Sequence, residues 1–524
     1  MTATSPATRP DTAQEPVARP LWWGAVDGVV AGLVTVGLAT LAAAAVVAIG
    51  QSSGQPAPIA AVSGAFIDRT PPWLKDFAVS TFGTNDKRAL LVGTVVVLAL
   101  VCAAIGAVAT RRLVPALVAF ALVGVLGAAA VMTRPGAGPV DVLPTVIGTV
   151  AGLWFLSRAA APAPAVGGGP GAANPGRRWL IGGAVGAVTA YLGSYVGGGS
   201  SAATVSRDAL KSVPVKGTKL VIPADADLRI PGLTPYIVPN ADFYRIDTAI
   251  VVPHIDANDW KLKVTGMVDR EVEIDWKTLQ GKEMQEALVT LTCVSNEVGG
   301  DLVGNAVWTG WPVRELLALA GPRAGADMVL QTSIDGFTAS TPLAALTDDR
   351  NALLAIRMNG EPLPFEHGFP VRVVVPGLYG YVSATKWVTE LKVTTYEKDV
   401  AYWSTRGWSA SGPIKTASRI DVPRAGATVK AGTVAVAGVA WHQHTGISKV
   451  EVQVDQQPWA EARLAADASI DTWRQWVYEW QATPGSHDLR VRAYDDKGEP
   501  QSPLEAPPAP DGATGIHVVT VKVE

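Results

Sequence analysis

Charge is what this chain has least of. Its 524 residues include 43 Lys and Arg and 46 Asp and Glu, 17% in all, against roughly 25% in soluble proteins. The shortfall is concentrated: residues 89–110 and 113–133 carry no charged side chain, which excludes a wholly soluble protein. A net charge of -3 leaves no basic surplus for nucleic acid. Cysteine is almost missing too. Cys102 lies inside an apolar stretch and Cys293 far beyond it, so no disulfide framework can be built. Histidine is absent before His254. The apolar region therefore has neither the histidines for a bis-histidine haem nor the cysteines for an iron–sulfur cluster. A Gly-rich dinucleotide fingerprint and a regular βαβα order are also lacking, which argues against a nicotinamide cofactor.

What is present at the N-terminal end is a series of apolar stretches, about Leu21 to Ile49, Ala89 to Thr110, Leu113 to Thr133, Val140 to Ser157 and Trp179 to Gly199. A hydrocarbon core needs about 20 helical residues to cross, and the fourth stretch, short and holding Asp141 and Pro144, meets this least well. Trp22, Trp23, Trp154 and Trp179 stand near segment ends, as interfacial anchors do. The first stretch is too long for a cleaved signal peptide. Asp27, the one acid well inside a long apolar run, is near enough to its start to be expected to reach the interface rather than mark an ion path. Basic residues set the orientation. With the N-terminus inside, Arg9, Arg19, Arg111, Arg112, Arg158, Arg177 and Arg178 fall on the cytoplasmic side, and everything after Gly199 is outside. An Ala-, Pro- and Gly-rich linker, 159–176, is expected to be flexible and ends at Arg177-Arg178. That pair reads as a positive-inside anchor or as a twin-arginine export signal.

The rest is of ordinary composition. Between Leu228 and about Val400, Trp260 to Gly266 alternates at period two and Gly368 to Gly377 reads as a buried strand between breakers. Val313 to Ala320 reads as a helix stopped by Gly321-Pro322. This is an α+β pattern. Beyond residue 426, Val434 to Trp441, Lys449 to Val454, Trp473 to Trp480, Leu489 to Tyr494 and His517 to Val523 read as the strands of an antiparallel sandwich. The expected domains are thus a cytoplasmic tail over 1–20, an anchor over 21–200, an α+β domain over 201–425 and a sandwich over 426–524. Cys293 sits in a polar, Gly-bearing segment, Thr290 to Gly300. Three readings are open there: a buried small hydrophobe, a nucleophile paired with His367, or one thiolate bond to a soft metal whose other ligands belong to an organic cofactor.

Three blocks occur in order: Asn240-Ala-Asp-Phe-Tyr-Arg-Ile-Asp-Thr-Ala-Ile-Val-Val-Pro253 followed by Trp260 and Gly266; Thr292-Cys-Val-Ser-Asn296 followed by Trp308-Thr-Gly310; and the run from Met358 to Gly377 with Lys386-Trp387 after it. In these the chain, over about Pro223 to Glu524, resembles the sulfite oxidase family of molybdenum enzymes. The sandwich, with Gly438-Val-Ala-Trp441 and Gly446 to Val452, resembles that family's C-terminal dimerisation domain. The expected fold class is a five-helix transmembrane bundle, read from the apolar stretches and not part of the resemblance, then an α+β molybdopterin domain and an all-β immunoglobulin-like sandwich, which the resemblance implies. It implies molybdenum held by the Cys293 thiolate and a pyranopterin dithiolene, with Asn240, His367, Arg372 and Lys386 at positions that hold the pterin and its phosphate. Arg245 falls in the block that supplies an anion-binding arginine. Asn296 and Glu297 follow the cysteine, and Trp403, Arg406 and Trp408 fall where pocket aromatics and cations belong, with Tyr379 and Tyr381 as further pocket groups. Animal and plant sulfite oxidases carry arginines where this chain has Glu297 and Val298, and an acid facing the metal would repel sulfite.

The expectation is therefore a multi-pass protein of the bacterial cell membrane with its catalytic domain outside. It would catalyse two-electron oxygen-atom transfer on a small sulfur or nitrogen oxo compound and exchange electrons with a separate redox carrier. No haem is expected, and homodimerisation would run through the sandwich. Sulfite oxidation and a non-enzymatic membrane receptor that binds through the sandwich are the alternatives.

Overall fold

The computed structural model describes residues 20–48, 56–71, 86–134, 136–160, 175–197, 201–212, 217–218 and 220–524. The expected cytoplasmic tail up to residue 19, the linker core 161–174 and the side chains of Arg177 and Arg178 lie outside the described residues. The chain divides into two compact units, Met1–Gly198 and Gly199–Glu524.

The first unit is helical: α1 (Leu21–Ala48), α2 (Pro58–Arg69), α3 (Asp86–Ala109), α4 (Leu113–Met132), α5 (Pro139–Ala160) and α6 (Pro175–Gly197). Among the described residues four stretches are long and apolar enough to cross a membrane, Leu21–Val47, Ala89–Ala109, Leu113–Met132 and Pro139–Ala160, whereas the described apolar part of α6, Trp179–Ser194, is shorter. The expected five spans thus reduce to four of sufficient length and a fifth helix. Val114, Leu126 and Leu180 are exposed, an outward apolar surface that hydrocarbon satisfies better than water does. Small residues let the helices close up. A Cβ at Gly28 would run into the Cys102 carbonyl and one at Gly106 into the Gly24 carbonyl, so α1 and α3 meet backbone to backbone. Asp27 departs from expectation. It is buried, 3% exposed, and accepts a 2.7 Å hydrogen bond from Trp179 Nε1. A polar partner on α6 holds it inside the bundle instead of the interface drawing it out.

The second unit carries two mixed sheets and a sandwich. One sheet runs, in hydrogen-bonded order, Gly217–Thr218, Met284–Thr292, Val303–Pro312, Leu353–Met358 and Arg372–Val374, with Glu361–Pro362 on its flank. The other runs Val272–Asp275, Lys261–Gly266, Val388–Thr394, Met328–Ser333 and Thr338–Pro342. The helix Val313–Ala320 ends at Gly321, whose φ of 70° is the left-handed conformation that glycine takes without penalty. Met284–Thr292 is buried along nearly its whole length, which its apolar run dictates, and it delivers Cys293 at its C-terminal end.

The sandwich starts earlier than position 426. Ala417–Val422 pairs with Gly432–Trp441, followed by Arg474–Ala482 and Arg463–Leu464; the facing sheet is Thr428–Val429, His517–Val523, Gly485–Asp495, Ile447–Val454 and Ala460–Glu461. Alternation along these strands fills a core that includes Val436, Val450, Val452, Trp476, Leu489 and Val521. Val439, Trp441 and Trp473 belong instead to the core of the α+β domain, so the two domains share packed side chains.

Candidate active site

A cleft of about 900 Å³, part of it open solvent, is lined by Phe243, Tyr244, Arg245, Asp247, Cys293, Ser295, Asp335, Phe337, His367, Arg372, Tyr381, Lys386, Trp403 and Trp408 among others. The sheet places its first group. Cys293 follows Thr292 directly, donates its main-chain N–H to Leu302 O at 2.9 Å, and is 8% exposed. Burial pushes its thiol above the usual cysteine range, opposed by hydrogen bonds from Ser295. Such a thiol is a poor free nucleophile, which weighs against the Cys–His pairing. The described residues hold no cluster of three or more His, Cys, Asp or Glu side chains able to bind a metal ion; a metal here needs ligands from a cofactor.

Three basic residues surround the inner end of the cleft. The turn Phe365–His367 ends on Gly368, where φ is 109° and a Cβ would press on Arg372 and Lys386. Glycine there lets the histidine come close to both cations. His367 Nε2 donates to Asn240 O at 3.1 Å, and its ring meets Phe243 edge-on at 5.6 Å. Burial, then Arg372 and Lys386, pull the imidazole down to about 4, so it is neutral at physiological pH. Arg372 is 5% exposed. It donates through Nη1 to His367 O at 3.2 Å and through Nη2 to Ala384 O at 3.5 Å, and it lies 4.8 Å over the Trp308 ring. Its Nε, fully buried, has no hydrogen-bond partner. Burial holds its guanidinium down to about 10. Lys386 donates to Asp247 Oδ2 at 2.7 Å and to Glu366 O at 3.0 Å; burial brings it to about 8 in spite of Asp247. A buried guanidinium with an orphaned N–H, beside a desolvated ammonium, fits an anionic oxygen-rich group such as a pterin phosphate.

At the outer end, Arg245 is 41% exposed and donates to Asp247 Oδ2 at 2.9 Å. Trp403 and Trp408 stand 6.3 Å apart with rings inclined at 76°, and Trp408 is 6.1 Å from Tyr381. The cleft thus brings together Cys293, Arg245, His367, Arg372, Lys386, Trp403, Trp408 and Tyr381.

Five expected site residues, Asn240, Asn296, Glu297, Tyr379 and Arg406, do not line it. Asn240 is bonded to Met358 O and Asn359 and meets the site only through its carbonyl on His367. Asn296 Oδ1 accepts the Leu302 N–H at 2.8 Å, which fixes the cysteine turn. Two successive turns, closed by Asn296 N to Cys293 O and Gly300 N to Glu297 O, carry Glu297 to a second, smaller cleft with Val298, Tyr379 and Gly515. The repulsion expected between Glu297 and sulfite therefore loses its basis. Arg406 lies over the Tyr402 ring, 3.5 Å from its centroid, and donates to Tyr402 O, so it stays local. Two groups were missed. Asp247, 3% exposed in its side chain, is the shared counter-ion of Arg245 and Lys386. Tyr244 faces the cleft with its phenol pushed upward by burial, then by Cys293. Both stand in the Asn240-to-Pro253 block, and a carboxylate two residues beyond an arginine in extended chain was the available signal for Asp247.

Residues 249–403 match the family model described as an oxidoreductase molybdopterin binding domain, and residues 417–491 match a bacterial Ig domain. Mitochondrial sulfite oxidase of Mus musculus is 30% identical over 322 residues, covering 52% of this chain and 58% of that protein. The Homo sapiens enzyme is 29% identical with the same coverage. The chain therefore spans little more than half the length of these relatives. Among solved structures, the sulfane dehydrogenase SoxCD from Paracoccus pantotrophus aligns with a TM-score of 0.47 and 21% identity, over 59% of this chain and 90% of that one. A buried thiol at a strand end and a cationic inner cleft agree with these matches: residues 249–403 form an oxidoreductase molybdopterin binding domain, and about half of the chain is similar to sulfite oxidases.

Proposed function

We propose that the chain is a membrane-anchored, extracytoplasmic oxidoreductase that holds a molybdenum–pyranopterin at Cys293 and carries out two-electron oxygen-atom transfer on a small sulfur or nitrogen oxo compound. One observation carries the reading: the only thiol of the second unit shares a cleft with Arg372, whose buried Nε has no protein partner. The bound group supplies the redox chemistry. The protein's part is to hold it. Cys293 would hold the metal as a thiolate, having lost the proton whose binding burial strengthens, Arg372 and Lys386 would meet the cofactor's phosphate, and neutral His367, fixed by Asn240 O, would offer Nδ1 rather than a charge. Trp403, Trp408 and Tyr381 line the outer end with aromatic surface, and Arg245 offers a cation there.

A second reading, sulfite oxidation, gains from Glu297 facing another cleft and from Arg245 being accessible. Initial rates on the purified, cofactor-loaded chain separate the two. Turnover of sulfoxides or amine N-oxides with a reduced dye, and little oxidation of sulfite, supports the first reading; efficient sulfite oxidation at micromolar concentration supports the second. The four long apolar helices support the anchor, and the placement of arginines supports the sidedness.

A further inference from the structure

We infer that the C-terminal sandwich positions the thiol of Cys293, with Gln443 as the positioning residue. The inference rests on the assignment of Cys293 as the functional thiol. It starts from the strand end, where Thr290, Leu291 and Thr292 are each no more than 2% exposed. Their polar groups need partners, and beside the strand pairing and Asn305 the sandwich serves Thr290 and the Thr292 hydroxyl. Gln443 Nε2 donates to Thr290 O at 2.8 Å and to Thr292 Oγ1 at 2.9 Å. Thr290 N–H donates to Asp471 O at 2.9 Å, and Thr290 Oγ1 accepts the Trp473 N–H at 2.7 Å. Beyond the thiol, Arg419, paired with Asp421, donates to Gly300 O at 2.6 Å. The segment that carries Cys293 is therefore held on both sides by residues of another folded domain.

The turn bearing Gln443 is itself pinned. His444 has φ of 62°, and its Nδ1 is 2.9 Å from Asp471 Oδ1, on the residue whose carbonyl takes Thr290 N–H. Gln443, 2% exposed, has no alternative amide orientation that would serve, because both its contacts on the strand are acceptors here. A displacement of this turn withdraws a donor from the Thr292 hydroxyl, next to the thiol. Within its own domain the thiol segment is tied by the pairing of Thr292 with Val303, continued by Cys293 N to Leu302 O, and by Asn296; the sandwich bonds add to this strand pairing.

The test is the alkylation rate of Cys293 by iodoacetamide, followed by peptide mass, in the full chain purified in detergent from a host unable to make the pterin. Gln443→Met keeps the volume and removes the donor; Thr292→Val removes one acceptor and serves if the first variant does not fold. Val452→Ala, in the sandwich core, is the control for simple loss of stability. Gln443→Met should label about tenfold faster than wild type, Thr292→Val several-fold faster, and the control within about twofold, since losing a buried hydrogen bond is of that order. Unchanged labelling in both strand-end variants, or an equal acceleration in the control, would overturn the inference. Labelling without cofactor reads the thiol's position whatever substrate the enzyme uses, so a wrong assignment of activity leaves the result unaffected.

Discussion

Replacing Arg372 by Met should leave the cofactor-free protein about as stable as wild type while destroying its ability to retain the cofactor. The guanidinium is buried without a carboxylate partner and burial holds it below its ordinary value, down to about 10; keeping it charged at neutral pH costs about 3 kcal/mol. Because its folded value lies below the unfolded one, this cost is present throughout the neutral range. Against it stand two hydrogen bonds to carbonyls, about 1 kcal/mol each, and a contact with Trp308 worth about 1 kcal/mol. The sum is near zero, whereas truncating a buried charge that has a protein partner costs about 3–5 kcal/mol. With an anion present the balance changes. Two charge-assisted bonds at about 1.5 kcal/mol each correspond to a loss of about a hundredfold in retention. Thermal unfolding of the cofactor-free pair, alongside molybdenum content of the loaded pair, reads both quantities. A drop in midpoint of about 6 °C or more, which signals a loss of roughly 3 kcal/mol, would make Arg372 a structural residue and refute the reasoning.

Three further outcomes are expected. Cys293→Ser should keep the fold and part of the pterin but lose most turnover, because an alkoxide is a harder donor than a thiolate; near-wild-type rates would dismiss the ligand assignment. Lys386, brought to about 8 from 10.5, binds its proton more weakly folded than unfolded, so its burden on stability is full below pH 8 and is relieved as pH rises towards 10. Lys386→Met should therefore flatten the rise of the unfolding midpoint of the cofactor-free protein between pH 8 and 10; identical slopes would contradict the shift. If Arg177-Arg178 is an export signal, changing both to Lys should leave the second unit inside the cell, and unimpaired protease access from outside would reduce the pair to an anchor.

Much of the architecture could be read from the residues because local chemistry agreed with the fold. The helix Val313–Ala320 has Pro312 before it and Gly321 after it, and alternation marks the strands Ile447–Val454 and His517–Val523. The cleft was legible to the extent that its residues lie in recognisable blocks. Where it was not, the cause is geometric. Glu297 follows the cysteine in sequence, but the turn closed by Asn296 sends it to another surface. Asp27 looked able to reach an interface because its partner, Trp179, is on a helix far along the chain. Gln443 is 151 residues from Thr292, and no local pattern announces such a bond.

The central claim is that Cys293 and the cations around it hold a molybdenum cofactor, and elemental analysis of the purified full chain tests it most directly. Protein expressed in a host competent for pterin synthesis should contain about one molybdenum per chain, as one thiolate ligand per site requires, and much less after Arg372→Met. Wild-type protein that is folded, exported and free of molybdenum would contradict the account and favour a membrane receptor that uses the sandwich for binding.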